Sequence, residues 1–249
     1  MKILLIAGHG DGDCGAVGCG FKEADLTREM VKLIKNALSN YIVTVDIADT
    51  SKNWYRYIIK QGGKFDFTAY DYVLEVHFNA CVNDPNGNGK TTGTEIYVTR
   101  LETGTSVEAK IISGIATLGL KNRGVKVKNF DLIYHIKKKG VSAALLETCF
   151  IDDMDDMKIY KAKKNQIAQE VADGIVAGFG LAKKEEKKGG DNVALYKDTK
   201  GHWAEKVIDE VTKLGIMNGF EDGTFKPNDK LTRAQAAVIA RNIINHLKK

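Results

Sequence analysis

Short apolar runs alternate with amphipathic stretches over the first 180 residues of this 249-residue chain. The runs KILLIA, YIVTVDIA, DYVLEVHFNA, TEIYVT and VSAALLETCF have the length and composition of buried strands. The stretch EADLTREMVKLIKNAL places its apolar residues on one helical stripe, and further helices are predicted near 106–119 and 160–178. This rhythm predicts an α/β fold with an open, mostly parallel sheet and helices on both of its faces.

A change in composition divides the chain. The segment AKKEEKKGGDN, residues 182–192, has no apolar residue after Ala182 and contains a glycine pair, which is typical of a solvated linker. We therefore predict a main domain at 1–181, a linker at 182–192 and a small all-α module, helix-loop-helix, at 193–249.

Charge and hydropathy narrow the function classes. The net charge of +5 is spread along the chain, so no nucleic-acid partner is expected. No apolar stretch reaches the roughly 18 residues of a membrane helix, and no membrane span is expected. The first residues lack the pattern of a signal peptide, so we expect synthesis in a cytoplasm. The four cysteines, Cys14, Cys19, Cys81 and Cys149, are then reduced, and we expect them to be small core residues.

Residues suited to metal binding or proton transfer end three of the apolar runs. His9 follows ILLIAG, His77 follows VLEV, and Glu147 follows SAALL. Ligands bind at the carboxyl ends of strands in open α/β sheets, so we expect these residues at one edge. Glu23, at the start of the first predicted helix, joins them if the loop GDGDCGAVGCGF folds back, which its glycines permit.

Each of these residues has a simpler interpretation when it stands alone. A histidine at a strand end is commonly a hydrogen-bonded structural residue, and a glutamate in a first helical turn interacts favourably with the helix dipole. Together, two histidines, a carboxylate and a further glutamate are the complement of a catalytic zinc site with a nearby base. The sequence therefore predicts a metal site that holds Zn²⁺.

The motifs AGHGDGDCGAVG, KEADLT, EVHFNA, TGTEIYVT, RGVK and AALLETCFIDDMDD follow one another along residues 2–180. This stretch resembles the zinc-dependent N-acetylmuramoyl-L-alanine amidases of the Amidase_3 type. The resemblance implies that His9, Glu23 and His77 match the family's metal ligands and that Glu147 matches its catalytic glutamate. It also implies hydrolysis of the amide between the lactyl group of N-acetylmuramic acid and the L-alanine of peptidoglycan.

Three further features stay open from the residues alone. His135, in LIYHIKKKG, is expected on a loop or strand, and nothing near it requires a function. The Asn- and Gly-rich stretch 79–93 is predicted to be a loop that borders the substrate groove. Trp54, Tyr55 and Tyr57 either stack on the substrate or belong to a helix that buries them.

The C-terminal residues predict two helices joined by a loop. The first carries its apolar residues on one side and ends at Gly215, and Asp222-Gly223 indicates a turn. Thr232 and Gln235 form a capping box for the second helix. A unit this small has a thin core, so it depends on a partner or is marginally stable alone.

The blocks GHWA, GIMNGFEDGTFKP and LTRAQAA resemble an S-layer homology (SLH) repeat. The resemblance implies binding to a secondary polymer of the Gram-positive cell wall, with Trp203 and Arg233 on the ligand side. The alternative for Trp203 is a core position, and for Arg233 a surface position on a helix. The family usually has three repeats with ligand grooves between them, whereas one repeat is present here. The resemblance thus suggests a homotrimer, or weak binding by a single copy.

These features predict a lytic enzyme that acts at the bacterial cell wall after release, either a phage endolysin or a host autolysin. A zinc peptidoglycan peptidase is the nearest alternative, because metal chemistry alone does not select the amide. A non-catalytic wall-binding protein is another. A helix-turn-helix DNA-binding protein is disfavoured, since the second helix of the tail, RAQAAVIARNIINHL, is mainly apolar.

Overall fold

The structure is a computed structural model that describes residues 1–184 and 194–247. The chain divides into two compact units, Met1–Lys184 and Glu185–Lys249. Of the predicted linker, residues 185–192 lie outside the described part of the chain. None of the helices in the described ranges is long and apolar enough to cross a membrane.

A six-stranded sheet forms the centre of the N-terminal unit. The strands of this unit are β1 (Lys2–Ala7), β2 (Val17–Gly18), β3 (Phe21–Lys22), β4 (Thr44–Ile47), β5 (Tyr72–Asn79), β6 (Thr94–Val98), β7 (Asn122–Val127) and β8 (Ser142–Phe150). β2 and β3 form a separate hairpin, and the others lie in the order β4-β1-β5-β8-β6-β7. Neighbouring strands are parallel except for the antiparallel pair of β6 and β8, so the predicted mostly parallel sheet is confirmed.

Helices cover both faces of this sheet, as predicted. They are α1 (Glu23–Ala37), α2 (Ser106–Thr117), α3 (Asp131–Lys138) and α4 (Met154–Phe179). On one face, α1, α2 and α4 pack against strand residues that include Leu74 and Leu146. On the other, α3 and a π-helical turn at Arg56–Lys60 cover Val73 and Leu145.

The alternation of side chains along the strands also decides where polar residues lie. Glu75 and His77 share the face of Val73 on β5, and Glu147 shares the face of Leu145 on β8. The carboxyl ends of these two strands therefore carry their polar side chains on the α3 face of the sheet.

Helix α4 begins at Met154, before the start predicted near 160. Asp153 caps the helix by accepting hydrogen bonds from the backbone N–H groups of Asp155 and Asp156. Those two residues form an acidic first turn, which the helix dipole favours. Apolar periodicity alone misses this turn because its residues are charged.

The four cysteines are free, but they do not share one environment. Cys149 is buried, Cys19 is half-buried, and Cys14 and Cys81 are exposed. The prediction of core positions is therefore wrong for Cys14 and Cys81. Both lie in loops rich in glycine or asparagine, where no apolar layer covers them.

The C-terminal unit contains α5 (Glu205–Lys213) and α6 (Arg233–Leu247), which confirms the helix-loop-helix prediction. The Thr232 backbone N–H donates to Gln235 Oε1 at 2.8 Å, and the Gln235 N–H donates to Thr232 Oγ1 at 3.2 Å, so the capping box forms as predicted. Ile208 is the one buried hydrophobic residue within 194–247. The core of this unit is therefore thin.

Candidate active site

The three residues predicted to bind metal converge at the carboxyl edge of the sheet. His9 follows β1, His77 lies near the end of β5, and Glu23 is the first residue of α1. Glu23 Oε2 is 3.0 Å from His9 Nε2, and Glu23 Oε1 is 2.9 Å from His77 Nδ1. One ligand atom from each residue lies within 4.8 Å of the others. The three side chains can therefore hold one metal ion.

Glu23 reaches the histidines because the loop before it folds back. Its backbone N–H donates to the Ala16 carbonyl oxygen at 2.9 Å, and the Ala16 N–H donates to Glu23 Oε2 at 2.9 Å. The Ala24 N–H donates to the Cys14 carbonyl oxygen at 3.0 Å. These bonds fix the start of α1 against the loop that carries His9.

The glycines on either side of His9 leave room for the site. A Cβ atom at Gly8 would lie 2.3 Å from Cε1 of the His77 ring, which is too close for any carbon pair. Gly10 has a φ of 103°, and a Cβ atom there would meet the guanidinium of Arg28. Arg28 in turn donates to the carbonyl oxygens of Gly8 and His9 at 3.0 and 2.9 Å. The sequence Gly8-His9-Gly10 therefore permits two close approaches, one by a ring and one by a cation.

Two carboxylates outside the predicted metal-binding set contact the histidine rings. His9 Nδ1 is 2.9 Å from Asp13 Oδ2, to which Asn53 Nδ2 also donates at 3.0 Å. His77 Nε2 is 3.1 Å from Glu75 Oε1. Each ring thus has one nitrogen at Glu23 and the other at a further carboxylate, which fixes the ring orientation. The signal was present in the spacing, since Glu75 precedes His77 by two residues on one strand face.

These carboxylates change the proton affinities of the histidines. Burial lowers the pKa of His77, but hydrogen bonds with Glu23 and Glu75 outweigh it and raise that pKa well above 6.5. Burial raises the pKa of Glu23, but the two histidines outweigh it and lower that pKa. Because an imidazole must be unprotonated to bind a metal ion, binding at this site displaces protons and is favoured by rising pH.

Glu147 lies beside this cluster and has the properties of a proton acceptor. It pairs in register with His77 of β5 on one side and with Glu95 of β6 on the other. Burial and the nearby carboxylates raise the pKa of Glu147 to about 7, although His77 opposes the shift. Glu147 Oε2 is buried and has no hydrogen-bond partner among the described residues. Such a group can accept and return a proton near neutral pH.

A pair of cations borders Glu147 on the side of β6 and β7. Glu95, only 1% exposed, accepts hydrogen bonds from Asn79 Nδ2 at 2.8 Å and from the Tyr97 hydroxyl at 2.7 Å. It also forms ion pairs with Arg123 and Lys126. Burial raises the pKa of Glu95, but the hydrogen bonds from Lys126 and Arg123 outweigh it and lower that pKa. The group of one carboxylate and two cations therefore carries a net positive charge at neutral pH.

The loop that follows β5 is held by acidic residues at the start of α4. It spans residues 80–93, in agreement with the predicted loop at 79–93. Its backbone N–H groups donate in three clusters, Val82 and Asn83 to Asp152, Asn88 and Gly89 to Asp155, and Thr92 and Gly93 to Asp153 and Asp156. The shape of the loop therefore depends on main-chain bonds to another element.

The remaining candidates of the main domain are not members of the cluster of His9, Glu23 and His77. His135 is on helix α3, so the expectation of a loop or strand is wrong. Its ring faces Phe67 at 6.4 Å between centroids, and burial and two lysines lower its pKa. Trp54 is buried and donates its indole N–H to the Asp49 carbonyl oxygen at 3.0 Å, whereas Tyr55 is exposed. Trp54 is therefore part of the core on the α3 face.

In the C-terminal unit, Trp203 is 90% exposed, so its alternative assignment to the core is wrong. Arg233 begins α6 and is exposed. Within residues 194–247, helix α6 has no buried residue, although it carries several large hydrophobic side chains, Val238, Ile243, Ile244 and Leu247. This helix thus presents apolar surface that the unit does not cover by itself.

The fold and the site together define an α/β domain with a candidate metal centre and an adjacent glutamate whose Oε2 is buried. The N-acetylmuramoyl-L-alanine amidase family matches residues 3–177, and the chain belongs to this family. The S-layer homology domain matches residues 195–237.

Individual relatives agree with this assignment. The chain is 29% identical over 227 residues to the endolysin of Bacillus phage SPP1, covering 89% of this chain and 78% of the endolysin. It is 28% identical over 186 residues to the N-acetylmuramoyl-L-alanine amidase LytC of Bacillus subtilis, covering 71% of this chain and 35% of LytC. Among solved structures, the amidase AmiC2 of Nostoc punctiforme has the same fold, with a TM-score of 0.58 and 22% identity over 72% of this chain and 97% of that one.

Proposed function

We propose that the protein is a zinc-dependent peptidoglycan amidase that hydrolyses the amide between N-acetylmuramic acid and L-alanine. The observation that carries the proposal is the convergence of His9, Glu23 and His77 beside Glu147. We assign the first three as metal ligands and Glu147 as the catalytic residue. Family membership supports the substrate, because the family is defined by this amide.

The chemistry and spacing of the ligand atoms fit zinc. Zn²⁺ binds imidazole nitrogens and carboxylate oxygens at about 2.0–2.2 Å, so tetrahedral ligands lie about 3.3 Å from one another. The Glu23 oxygens are 3.0 and 2.9 Å from the nitrogens of His9 and His77. Three protein ligands are also the number found in catalytic zinc sites, which keep one position for water or substrate.

Different residues of the chain bind the metal, transfer the proton and orient the histidine ligands. His9, Glu23 and His77 would hold the zinc ion, which would supply polarisation of the scissile carbonyl and activation of water. Glu147 accepts the proton of the attacking water at Oε2, which has no hydrogen-bond partner in residues 1–184 and 194–247, and passes it to the leaving amine of L-alanine. With no ion at the site, burial raises the pKa of Glu147 to about 7, so this glutamate holds a proton more readily than an exposed one. Asp13 and Glu75 hold the two imidazoles in the orientation that the ligands need.

The proposed function is tested by the chemical ends that the protein creates. Purified Gram-positive peptidoglycan is digested with the zinc-loaded protein, with and without a chelator, and the products are identified by mass spectrometry. We expect free L-alanine amino termini and intact glycan strands, both lost on chelation. New ends inside the peptide would instead identify a peptidase, and no cleavage would favour a non-catalytic wall-binding protein.

We assign residues 193–249 as a wall-binding module that joins the amidase domain, residues 1–181, through the linker at 182–192. The SLH match supports binding to a secondary cell-wall polymer, with Trp203 and Arg233 as contact residues. A side chain of tryptophan that is 90% exposed is suited to such a contact. Action at the bacterial cell wall, as an endolysin or autolysin, follows from the two domains together.

Removal of residues 191–249 tests the role of the module. A second binding site raises the local concentration of the catalytic domain at an insoluble substrate. We therefore expect about 10²-fold slower lysis of whole cell walls, while cleavage of a small soluble muropeptide is unchanged. Turbidity of cell walls and chromatography of the muropeptide measure the two rates, and equal losses in both would contradict tethering.

We further propose that three chains associate through this module. The thin core around Ile208 and the exposed apolar residues of α6 support an additional partner surface. Light scattering of the full chain is then expected to give three times the mass of 27.4 kDa. A monomer at working concentration would leave weak binding by a single copy as the remaining interpretation.

A further inference from the structure

Arg123 and Lys126, the cations beside Glu147, lie where they can contact the substrate. Glu147, Glu95 and the β7 residues Arg123 and Lys126 lie on one face of three neighbouring strands. The side chains of Arg123 and Lys126 remain 29% and 35% exposed, although both contact the buried Glu95. In residues 1–184, Glu95 is the one acidic side chain with which either forms an ion pair. Within residues 1–184, one of the two positive charges is therefore not balanced by a carboxylate.

The chemistry of the substrate indicates which of its groups can bind the uncompensated positive charge of Arg123 and Lys126. This step rests on the proposed function, in which the lactyl carboxyl of muramic acid is consumed in the scissile amide. The glycan side of that bond then presents no carboxylate, whereas the peptide side can. A guanidinium and an ammonium together are suited to a carboxylate, which accepts several charge-assisted hydrogen bonds.

The spacing of the strands places Arg123 and Lys126 within reach of the second residue of the peptide. Adjacent strands lie about 4.8 Å apart, so β6 and β7 are about 5 and 10 Å from Glu147 on β8. An extended peptide advances about 3.3–3.6 Å per residue, which places a carboxylate of the second residue about 7 Å from the scissile nitrogen. We propose that Arg123 and Lys126 form a carboxylate-binding subsite for the residue that follows L-alanine, so that a free carboxylate is preferred to an amide there.

The test compares two muramoyl dipeptides whose second residue has its γ-carboxyl blocked as a methylamide and that differ only at the α-carboxyl, which is free in the D-glutamate form and an amide in the D-isoglutamine form. We expect the wild-type protein to cleave the carboxylate form with a kcat/KM about tenfold higher, chiefly through KM. Lys126→Gln is expected to bring the ratio of the two substrates close to one, because Arg123 remains to balance Glu95. Lys110→Gln, an exposed lysine on α2 at the opposite face, is the matched control and keeps the ratio.

A binding measurement separates this inference from the proposed function and requires no variant. Calorimetry measures how tightly the zinc-loaded wild type binds L-alanyl-D-glutamate and L-alanyl-D-isoglutamine, each with its γ-carboxyl blocked as a methylamide, and tighter binding of the first is expected. Equal binding, or equal kcat/KM for both muramoyl substrates, overturns the subsite. Loss of cleavage at the lactyl amide with preference for the carboxylate dipeptide retained would overturn the proposed reaction and keep the subsite.

Discussion

Glu147→Gln is expected to lower kcat by about 10²–10⁴-fold, since general acid-base groups contribute that much. Glutamine has nearly the same shape but cannot accept the proton of the attacking water. The proposed metal ligands are untouched, so zinc content measured by elemental analysis is expected to stay at one ion per chain.

Glu108→Gln is the matched control for this variant. Glu108 is also a buried glutamate, but it lies on α2 at the other face of the sheet, where it accepts a hydrogen bond from the Tyr72 hydroxyl at 2.9 Å. Its turnover is expected to equal that of the wild type. Near wild-type turnover by Glu147→Gln would show that another residue transfers the proton.

His77→Ala is expected to lose zinc and turnover together. Loss of a residue that merely orients a ligand lowers metal affinity by about 10–100-fold, so loss of a ligand itself is expected to exceed this range. Competition with a chromogenic chelator measures the affinity. His135→Ala is the control, because His135 lies on α3 with its ring facing Phe67 and is not expected to change zinc binding.

The same variant tests the electrostatics of the metal-free protein. His77 contacts two buried carboxylates, Glu23 and Glu75, which are 3% and 4% exposed. Removal of one partner from a buried ion pair costs about 3–5 kcal/mol, because the remaining charge is left without compensation. Urea unfolding in the presence of chelator is expected to show a decrease of this size in the free energy of unfolding. An unchanged value would mean that solvent already screens these groups.

The sequence predicted the sheet and the convergence of His9, Glu23, His77 and Glu147 because the signals for both are local. An apolar run followed by His9 or His77 indicates both a strand and the position of its carboxyl end. The parallel register of neighbouring strands then brings these ends together at one edge of the sheet. The placement of Glu23 needed only that the glycine-rich loop fold back, which the bonds of Ala16 confirm.

The features that the sequence did not reveal are contacts between residues of different elements or turns, which depend on the tertiary fold. Asp13 contacts His9 only because the intervening residues turn, and Arg28 reaches the Gly8 carbonyl oxygen from a different element. Strand β7 was missed because NRGVKV is too polar to be recognised as a strand, yet β6 supplies its pairing. The acidic start of α4 was missed for a similar reason, since Asp153 acts through a cap rather than through apolar periodicity.

The hydrogen bonds between loop 80–93 and the aspartates before and in α4 affect which residues of the loop can change during evolution. The donors are main-chain N–H groups, and the acceptors lie on another element. Any residue except proline supplies such a donor. Gly87 and Gly93 cannot change in this way, because a Cβ atom there would meet Asp155 and the Lys121 carbonyl oxygen. At donors such as Val82 and Asn88 the side chain can be exchanged by mutation while the path of the loop persists, which leaves the segment after His77 open to adaptation toward new cell walls.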